Sequence, residues 1–194
     1  MFYIYGDSHS ERPFRDLAIP HCKKQQPGIT MFRTGRDNLI INHEHSFNNP
    51  ENVFVLSYGE IDCRFHIGNQ IKLGRNEDSI IRELVENYFK TIKNNILTFK
   101  QIIVVAVVPP VKQKEYEIAN TDFPFSNSDE DRVRYTTKMN TLLEEHCAKN
   151  NFVYFDPYDF YKRPDGTLKF ELSDGMVHIK DTAHYLEKFV QICK

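Results

Sequence analysis

The sequence predicts an α/β fold, a three-layer α/β/α sandwich in which helices cover both faces of a five-stranded parallel sheet. Short apolar runs typical of buried strands alternate with longer segments whose apolar residues recur every three or four positions. Strands and helices that alternate in this way form parallel sheets through right-handed crossovers. The chain has 194 residues and shows no internal repeat, so residues 1–194 are predicted to form a single domain.

Five runs rich in apolar and β-branched residues are predicted to be the strands. They are residues 2–5, 29–34, 53–58, 102–108 and 152–155. The third and fourth runs are almost entirely apolar, as expected for central strands that are covered on both faces. Pro109 and Pro110 end the fourth, because proline cannot continue the hydrogen-bond ladder of a central strand.

Three segments are predicted to be long helices: residues 77–97, 129–150 and 181–192. In the first of them apolar residues form one stripe, at Ile81, Leu84, Val85, Tyr88, Ile92 and Ile96. Residues 11–17 can begin a further helix. The connection over residues 111–129 is long for a compact domain, and such connections often contact substrate, so we interpret it as a lid or insertion.

Composition excludes several classes of function. The net charge is −2 and the basic residues are spread along the chain, which argues against a nucleic-acid partner. The four cysteines have neither metal-ligand spacing nor the number for a disulfide framework, which is typical of free thiols in a reducing compartment. No signal peptide or membrane-length apolar run is visible. We therefore expect an intracellular, cytoplasmic protein with no membrane partner.

Three polar clusters, at residues 6–9, 59–62 and 174–178, follow predicted strands or precede the last helix. A parallel sheet brings the ends of its strands to one edge, so these clusters can converge there. Together they contain a nucleophile, Ser8, a base, His178, and several carboxylates, which is the set of groups that acyl transfer requires. A structural alternative for Asp7 and Ser8 is that they cap a helix.

These clusters resemble the ordered motifs of the SGNH (GDSL) hydrolase superfamily. Gly6-Asp7-Ser8 matches its first block, Gly35 is the candidate for the glycine after the second strand, and residues 59–62 match Gly-x-Asn-Asp in part. Asp174 and His178 resemble the last block, Asp-x-x-His. The resemblance implies a flavodoxin-like parallel sheet and a serine esterase or acyl-transfer enzyme.

The resemblance also implies a role for each matched residue. Ser8 would be the nucleophile, His178 the general base and Asp174 the acid that stabilises the imidazolium. The backbone N–H groups of Ser8 and Gly35 would stabilise the oxyanion. Gly59 belongs to the third block.

The sequence departs from the family pattern at two places. Ile61 occupies the position of the asparagine that donates to the oxyanion, and an isoleucine side chain has no donor. Asp174 and His178 are one residue further apart than the pattern requires. Asp181 and His184 have the expected spacing but fall in the predicted last helix, so we prefer Asp174 and His178.

Glu60 is a second candidate for the acid. Gly59-Glu60 resembles a block of the sialic-acid and acetylxylan esterases in the same superfamily, whose glutamate can orient the histidine. Asp62 and Arg64 either contribute to this binding site or form a structural ion-pair cluster with Glu60, because buried charges normally pair.

The expected substrate is a small-molecule or glycan ester that carries an O-acetyl or other short acyl group. The enzyme is a hydrolase if water reaches the acyl-enzyme and an acyltransferase if a sugar hydroxyl does. No cofactor and no metal are expected.

Two other functions stay open. Asp7-Ser8-His9 and Asn42-His43-Glu44 resemble motifs of metal-dependent phosphoesterases, although the order of the motifs differs. Ile61 favours a catalytically silent ligand-binding module on the same fold.

Overall fold

A computed structural model describes residues 1–38, 49–115 and 123–193. Its sheet has five strands, all parallel, in the order β2-β1-β3-β4-β5. The strands are β1 (Phe2–Gly6), β2 (His21–Gln25), β3 (Val53–Ser57), β4 (Gln101–Val105) and β5 (Val153–Phe155). This confirms the predicted five-stranded parallel sheet.

The register of the sheet brings several loops to one edge. At the end of β1, Gly6 lies opposite Gln25 of β2 and Ser57 of β3. Because the strands are parallel, the segments that follow them leave from the same side, which we call the carboxyl edge. Residues 7–10, 26–30 and 58–61 all begin there.

Helices cover both faces of the sheet, as predicted. The helices are α1 (Met31–Asp37), α2 (Ile67–Lys72), α3 (Glu77–Asn95), α4 (Asp129–Asn150) and α5 (Ala183–Ile192). One face packs against α1, α3 and α4 through buried residues such as Met31, Tyr88 and Met139. The other face packs against α5 through Phe189, together with Phe14 from the segment after β1.

The predicted second strand, residues 29–34, is wrong. Residues 31–34 lie in α1, and the first N–H groups of that helix are capped twice. Thr30 accepts a hydrogen bond from the N–H of Arg33. The carboxylate of Asp62 accepts from the N–H groups of Met31 and Phe32, at 2.7 and 3.1 Å. This capping from a distant residue outweighs the local preference for strand, and the actual second strand is β2.

Other local features differ from expectation in smaller ways. Residues 11–17 form turns rather than a helix, after a 3₁₀ turn over Ser8–Ser10. The segment after β3 winds into a π-helical stretch, Asp62–His66, which continues into α2. The predicted helices 77–97, 129–150 and 181–192 correspond to α3, α4 and α5.

Two interpretations fall partly or wholly outside the described residues. The Asn42-His43-Glu44 motif lies wholly outside them. The connection over residues 111–129 lies partly outside them, at residues 116–122. Within residues 1–38, 49–115 and 123–193, no helix is both long enough and apolar enough to cross a membrane.

Candidate active site

Ser8 lies at the carboxyl edge, directly after β1. Gly6 allows this placement, because a Cβ on Gly6 would lie 2.1 Å from the carbonyl oxygen of Ser57. The N–H of Asp7 donates to that same carbonyl, and the Asp7 carboxylate accepts from the N–H of His9 at 2.9 Å. These contacts turn the chain sharply out of the sheet and present the Ser8 hydroxyl beyond its edge.

His178 connects Ser8 to Asp174. Its Nε2 lies 2.7 Å from the Ser8 Oγ, and its Nδ1 lies 3.0 Å from Oδ2 of Asp174. Both distances are those of hydrogen bonds. Serine, histidine and aspartate therefore form one continuous array, although Ser8 and His178 are 170 residues apart.

A tight loop accommodates the extra residue between Asp174 and His178. The Asp174 Oδ1 accepts from the N–H groups of Met176 and His178, and the Asp174 N–H donates to the carbonyl of His178 at 3.0 Å. Antiparallel pairing of Ser173 with Ile179 closes the loop. The loop folds around its own carboxylate and leaves Oδ2 free to accept from the imidazole.

The surroundings of His178 keep its imidazole neutral. Burial, together with the nearby Arg12 and Arg64 cations, lowers the pKa of His178 to about 4, and Glu60 opposes the shift. A neutral imidazole that is hydrogen-bonded to a serine hydroxyl can accept its proton.

Glu60 is held by a different partner. Arg64 donates to both of its carboxylate oxygens, at 2.6 and 3.1 Å, and also donates to the carbonyl of Phe123. The structure therefore brings Asp174, and not Glu60, to the Nδ1 of His178. Glu60 and Arg64 form the buried ion pair that was the structural alternative for this cluster.

His9 belongs to this site, although the sequence predicted no role for it in acyl transfer. It is 4% exposed, and its ring lies against that of His178 with the centroids 4.7 Å apart. Among the described residues its Nε2 has no hydrogen-bond partner, and the nearest carboxylate oxygen, on Glu60, is 3.9 Å away. Burial lowers the pKa of His9 well below its usual value. Its position directly after Ser8 was the signal available in the sequence.

Gly35 and Asp62 are not where the expected oxyanion site requires them. Gly35 lies within α1, so its N–H belongs to the hydrogen bonding of the helix. A Cβ on it would lie 2.8 Å from the Cβ of Asn87 on α3. Asp62 is fully buried and caps α1. The expectation that Gly35 contributes to the site is corrected, because it followed from the misplaced second strand.

The third block has a structural glycine and a buried isoleucine. Gly59 has a φ of +119°, and a Cβ there would lie 2.8 Å from Cγ2 of Val107, so the strand end can pack only with glycine. Ile61 is buried. With β2 at His21–Gln25, the glycine that follows the second strand is Gly28, which has a φ of +69°.

The alternative pair, Asp181 and His184, makes other contacts. The carbonyl of Asp181 accepts from the Tyr161 hydroxyl at 2.8 Å, and the ring of His184 stacks on Phe160 at 4.6 Å. Across the parts of the chain that the structure describes, no cluster of three or more His, Cys, Asp or Glu side chains could hold a metal ion.

Comparison with known proteins supports the fold. No protein-family model and no curated protein sequence matches the chain. Several solved structures do match over nearly its whole length. A protein of Streptococcus pneumoniae, provisionally assigned as a platelet activating factor, has a TM-score of 0.63 and 15% identity, covering 100% of this chain and 83% of its own.

Two lipases have the same fold. A GDSL-like lipase from Bacteroides thetaiotaomicron matches with a TM-score of 0.60 and 10% identity, covering 99% of this chain and 84% of its own. An extracellular lipase from Streptomyces rimosus matches with a TM-score of 0.57 and 11% identity, covering 98% of both chains. At these identities the likeness establishes the architecture, and activity has to be argued from the residues of this chain.

Proposed function

We propose that this chain, which has the fold of the SGNH (GDSL) hydrolases, is a serine esterase that acts on short-acyl esters. One observation carries the proposal: the array in which the Ser8 Oγ, the His178 imidazole and the Asp174 carboxylate are joined by hydrogen bonds of 2.7 and 3.0 Å. This arrangement is the one that activates a serine hydroxyl for attack on a carbonyl carbon.

In the first half of the reaction, the Ser8 Oγ attacks the ester carbonyl while Nε2 of His178 takes its proton. Asp174 stabilises the imidazolium through Nδ1–H. The tetrahedral intermediate then collapses, the bond to the alcohol breaks, and His178 returns the proton to the leaving oxygen. In the second half, water loses a proton to Nε2 of His178 and its oxygen attacks the acyl-serine. The second tetrahedral intermediate collapses, the bond to Ser8 Oγ breaks, and His178 returns the proton to Ser8 as the carboxylic acid leaves.

Backbone donors supply the oxyanion site in this mechanism. The N–H of Ser8 starts the turn after β1, and the proposed second donor, in place of Gly35, is the N–H of Gly28, the glycine that follows β2 at the same edge. Such donors contribute about 3 kcal/mol each to stabilising the transition state. They compensate for the missing side-chain donor at Ile61.

The proposed substrate is an O-acetyl or other short-acyl ester on a small molecule or a glycan. The same acyl-enzyme would make the protein an acyltransferase if a sugar hydroxyl, rather than water, attacked it. The low net charge of −2 fits an uncharged ester better than a polyanionic partner.

Hydrolysis of p-nitrophenyl acetate by the purified chain tests the proposal. We expect turnover in the wild type and a loss of at least about 10³-fold in kcat for Ser8→Ala. Ser79→Ala is the matched control, because Ser79 is exposed in α3 and its hydroxyl bonds to Asn76 at the start of that helix. A folded Ser8→Ala protein with wild-type turnover would overturn the proposal. If Ser8→Ala loses turnover as expected, a comparison of acetylated xylose with p-nitrophenyl butyrate would define the acyl group and the alcohol that the enzyme prefers.

A further inference from the structure

We propose that Arg12 is a positioning residue that holds the Asp174 carboxylate in the orientation that accepts from His178. This inference rests on the proposed function of the same site. Arg12 Nη1 donates to Oδ2 of Asp174, the oxygen that also accepts from Nδ1 of His178.

The contacts of Asp174 show what Arg12 adds. Oδ1 is held by the backbone N–H groups of its own loop, at Met176 and His178. Oδ2 is shared between the imidazole and the guanidinium of Arg12. Removing Arg12 leaves the imidazole as the described partner of Oδ2, so the loop N–H groups and His178 alone then set the orientation of the carboxylate.

Arg12 also connects the two parts of the chain that make the site. It lies four residues after Ser8, and its segment is anchored by Phe14, which is fully buried against Tyr185 and Phe189. The segment that carries the nucleophile therefore contacts the loop that carries the acid and the base. The Arg12 side chain is 39% exposed and that of Asp174 is 14% exposed, so Arg12 lies on the solvent side of the carboxylate.

The charge of Arg12 has a second consequence for His178. The groups that influence the imidazole are Asp174 at Nδ1, the tilted ring of His9, the Glu60–Arg64 pair and Arg12. The positive charge of Arg12 makes protonation of the imidazole less favourable and so lowers the pKa of His178. Arg64 is buried and paired with Glu60, which leaves Arg12 as the cation that can be changed without disturbing the core.

An ordinary surface ion pair would behave differently. Pairs at such exposure contribute about 0–1 kcal/mol to stability. A purely structural Arg12 would alter the melting temperature slightly, and its charge would still shift the pKa of His178, but kcat on the pH plateau would not change when Arg12 is replaced.

The test compares Arg12→Gln, Arg12→Lys and a matched control, Arg15→Gln. Arg15 is an exposed arginine in the same run of turns. The first readout is the NMR spectrum of the His178 imidazole, assigned with His178→Ala: its titration reports the charge of Arg12, and the signal of the Nδ1–H that bonds to Asp174 reports the orientation of the carboxylate. The second is the pH profile of kcat/KM for p-nitrophenyl acetate. A melting curve of each variant establishes that it is folded.

We expect Arg12→Gln to raise the pKa of His178 by about one pH unit, as removal of a nearby charge does. The acid limb of kcat/KM should move to higher pH by the same amount, and kcat on the plateau should fall about tenfold as the carboxylate loses its orientation. Arg12→Lys should keep the low pKa because it keeps the charge, and Arg15→Gln should match the wild type.

The NMR measurement needs no turnover, so it separates the two proposals. If a folded Arg12→Gln protein keeps the wild-type Nδ1–H signal of His178 and the wild-type kcat on the plateau, the role of Arg12 is overturned. If the wild type hydrolyses no ester but Arg12→Gln loses that Nδ1–H signal while Arg15→Gln keeps it, Arg12 positions the array and the proposed esterase function is overturned.

Discussion

Two arginine–carboxylate pairs lie near His178, and they differ in what they do for it. Arg12 and Asp174 meet at the surface, where the arginine side chain is 39% exposed, whereas Arg64 and Glu60 meet in the interior, where it is 8% exposed. Asp174 accepts from the imidazole at 3.0 Å and Glu60 does not. The role of each carboxylate is therefore set by the groups that hold it and not by its residue type.

The local backbone explains the difference. Glu60 and Arg64 are four residues apart where the chain winds into helix after β3, so they face each other and the arginine satisfies both carboxylate oxygens. Asp174 lies in a loop whose backbone N–H groups bind only one of its oxygens. The other oxygen remains available for His178.

The largest effect should come from Asp174→Asn. Without the carboxylate, the imidazole loses the acceptor that sets its tautomer and stabilises its charge, so kcat for p-nitrophenyl acetate should fall by about 10⁴. Asp181→Asn is the matched control, since Asp181 was the alternative acid and contacts Tyr161 instead. Equal losses in the two variants would show that the effect does not come from the contact with His178.

Glu60→Gln should affect stability more than turnover. The change leaves the Arg64 guanidinium buried without its counter-charge, which costs about 3 kcal/mol in the free energy of unfolding. Turnover of the folded protein should fall less than about tenfold. Urea denaturation and steady-state kinetics measure the two effects. A folded Glu60→Gln protein that loses more turnover than Asp174→Asn would assign the orienting role to Glu60.

The double variant Glu60→Gln, Arg64→Met sharpens this result. Removing the charge from both partners should recover part of the lost stability, because no uncompensated buried charge remains. No recovery would mean that the two residues stabilise the fold through separate contacts.

A smaller effect concerns stability against pH. The folded-state pKa of His178 is about 4, below its usual 6.5, and that of His9 is also lowered by burial. As the pH falls below about 6.5, the unfolded chain therefore binds protons that the folded chain does not. The free energy of unfolding should fall by up to about 1.4 kcal/mol per pH unit for each histidine. His9→Phe should reduce this slope. Equal slopes in the wild type and His9→Phe would contradict the expected contribution of His9 to the pH dependence of stability.

The smallest expected effect is that of a chelator. We expect neither Asp174 nor Glu60 to act as a metal ligand, and acyl transfer through serine requires no metal. Hydrolysis of p-nitrophenyl acetate should be unchanged in excess EDTA. Loss of activity that zinc or manganese restores would instead favour the metal-dependent phosphoesterase.

The parts of the fold that could be predicted are those with a strong apolar pattern. β3, β4 and α3 bury almost continuous apolar surface, and this pattern is local. β2 was missed because it is an edge strand of polar composition, His-Cys-Lys-Lys-Gln, that needs little burial. Its absence from the prediction moved the second strand onto α1.

The site could be predicted where a reactive side chain follows a strand directly, as at Ser8. It could not be predicted where tertiary contacts set the position and partners of a residue. Asp62 caps a helix that starts 31 residues earlier, which sequence spacing does not reveal, and Gly35 was misassigned as a result. The contact between the rings of His9 and His178 depends on two loops meeting. The extra residue before His178 is absorbed by hydrogen bonds within its own loop.

The most direct test of the account is covalent labelling with a fluorophosphonate, followed by peptide mapping. Such a probe reacts with a serine whose hydroxyl is activated by a neighbouring base. The account predicts one labelled residue, Ser8, in the wild type, with labelling lost in His178→Ala and strongly slowed in Asp174→Asn. A folded wild-type protein that is not labelled, or that is labelled at another serine, would contradict it.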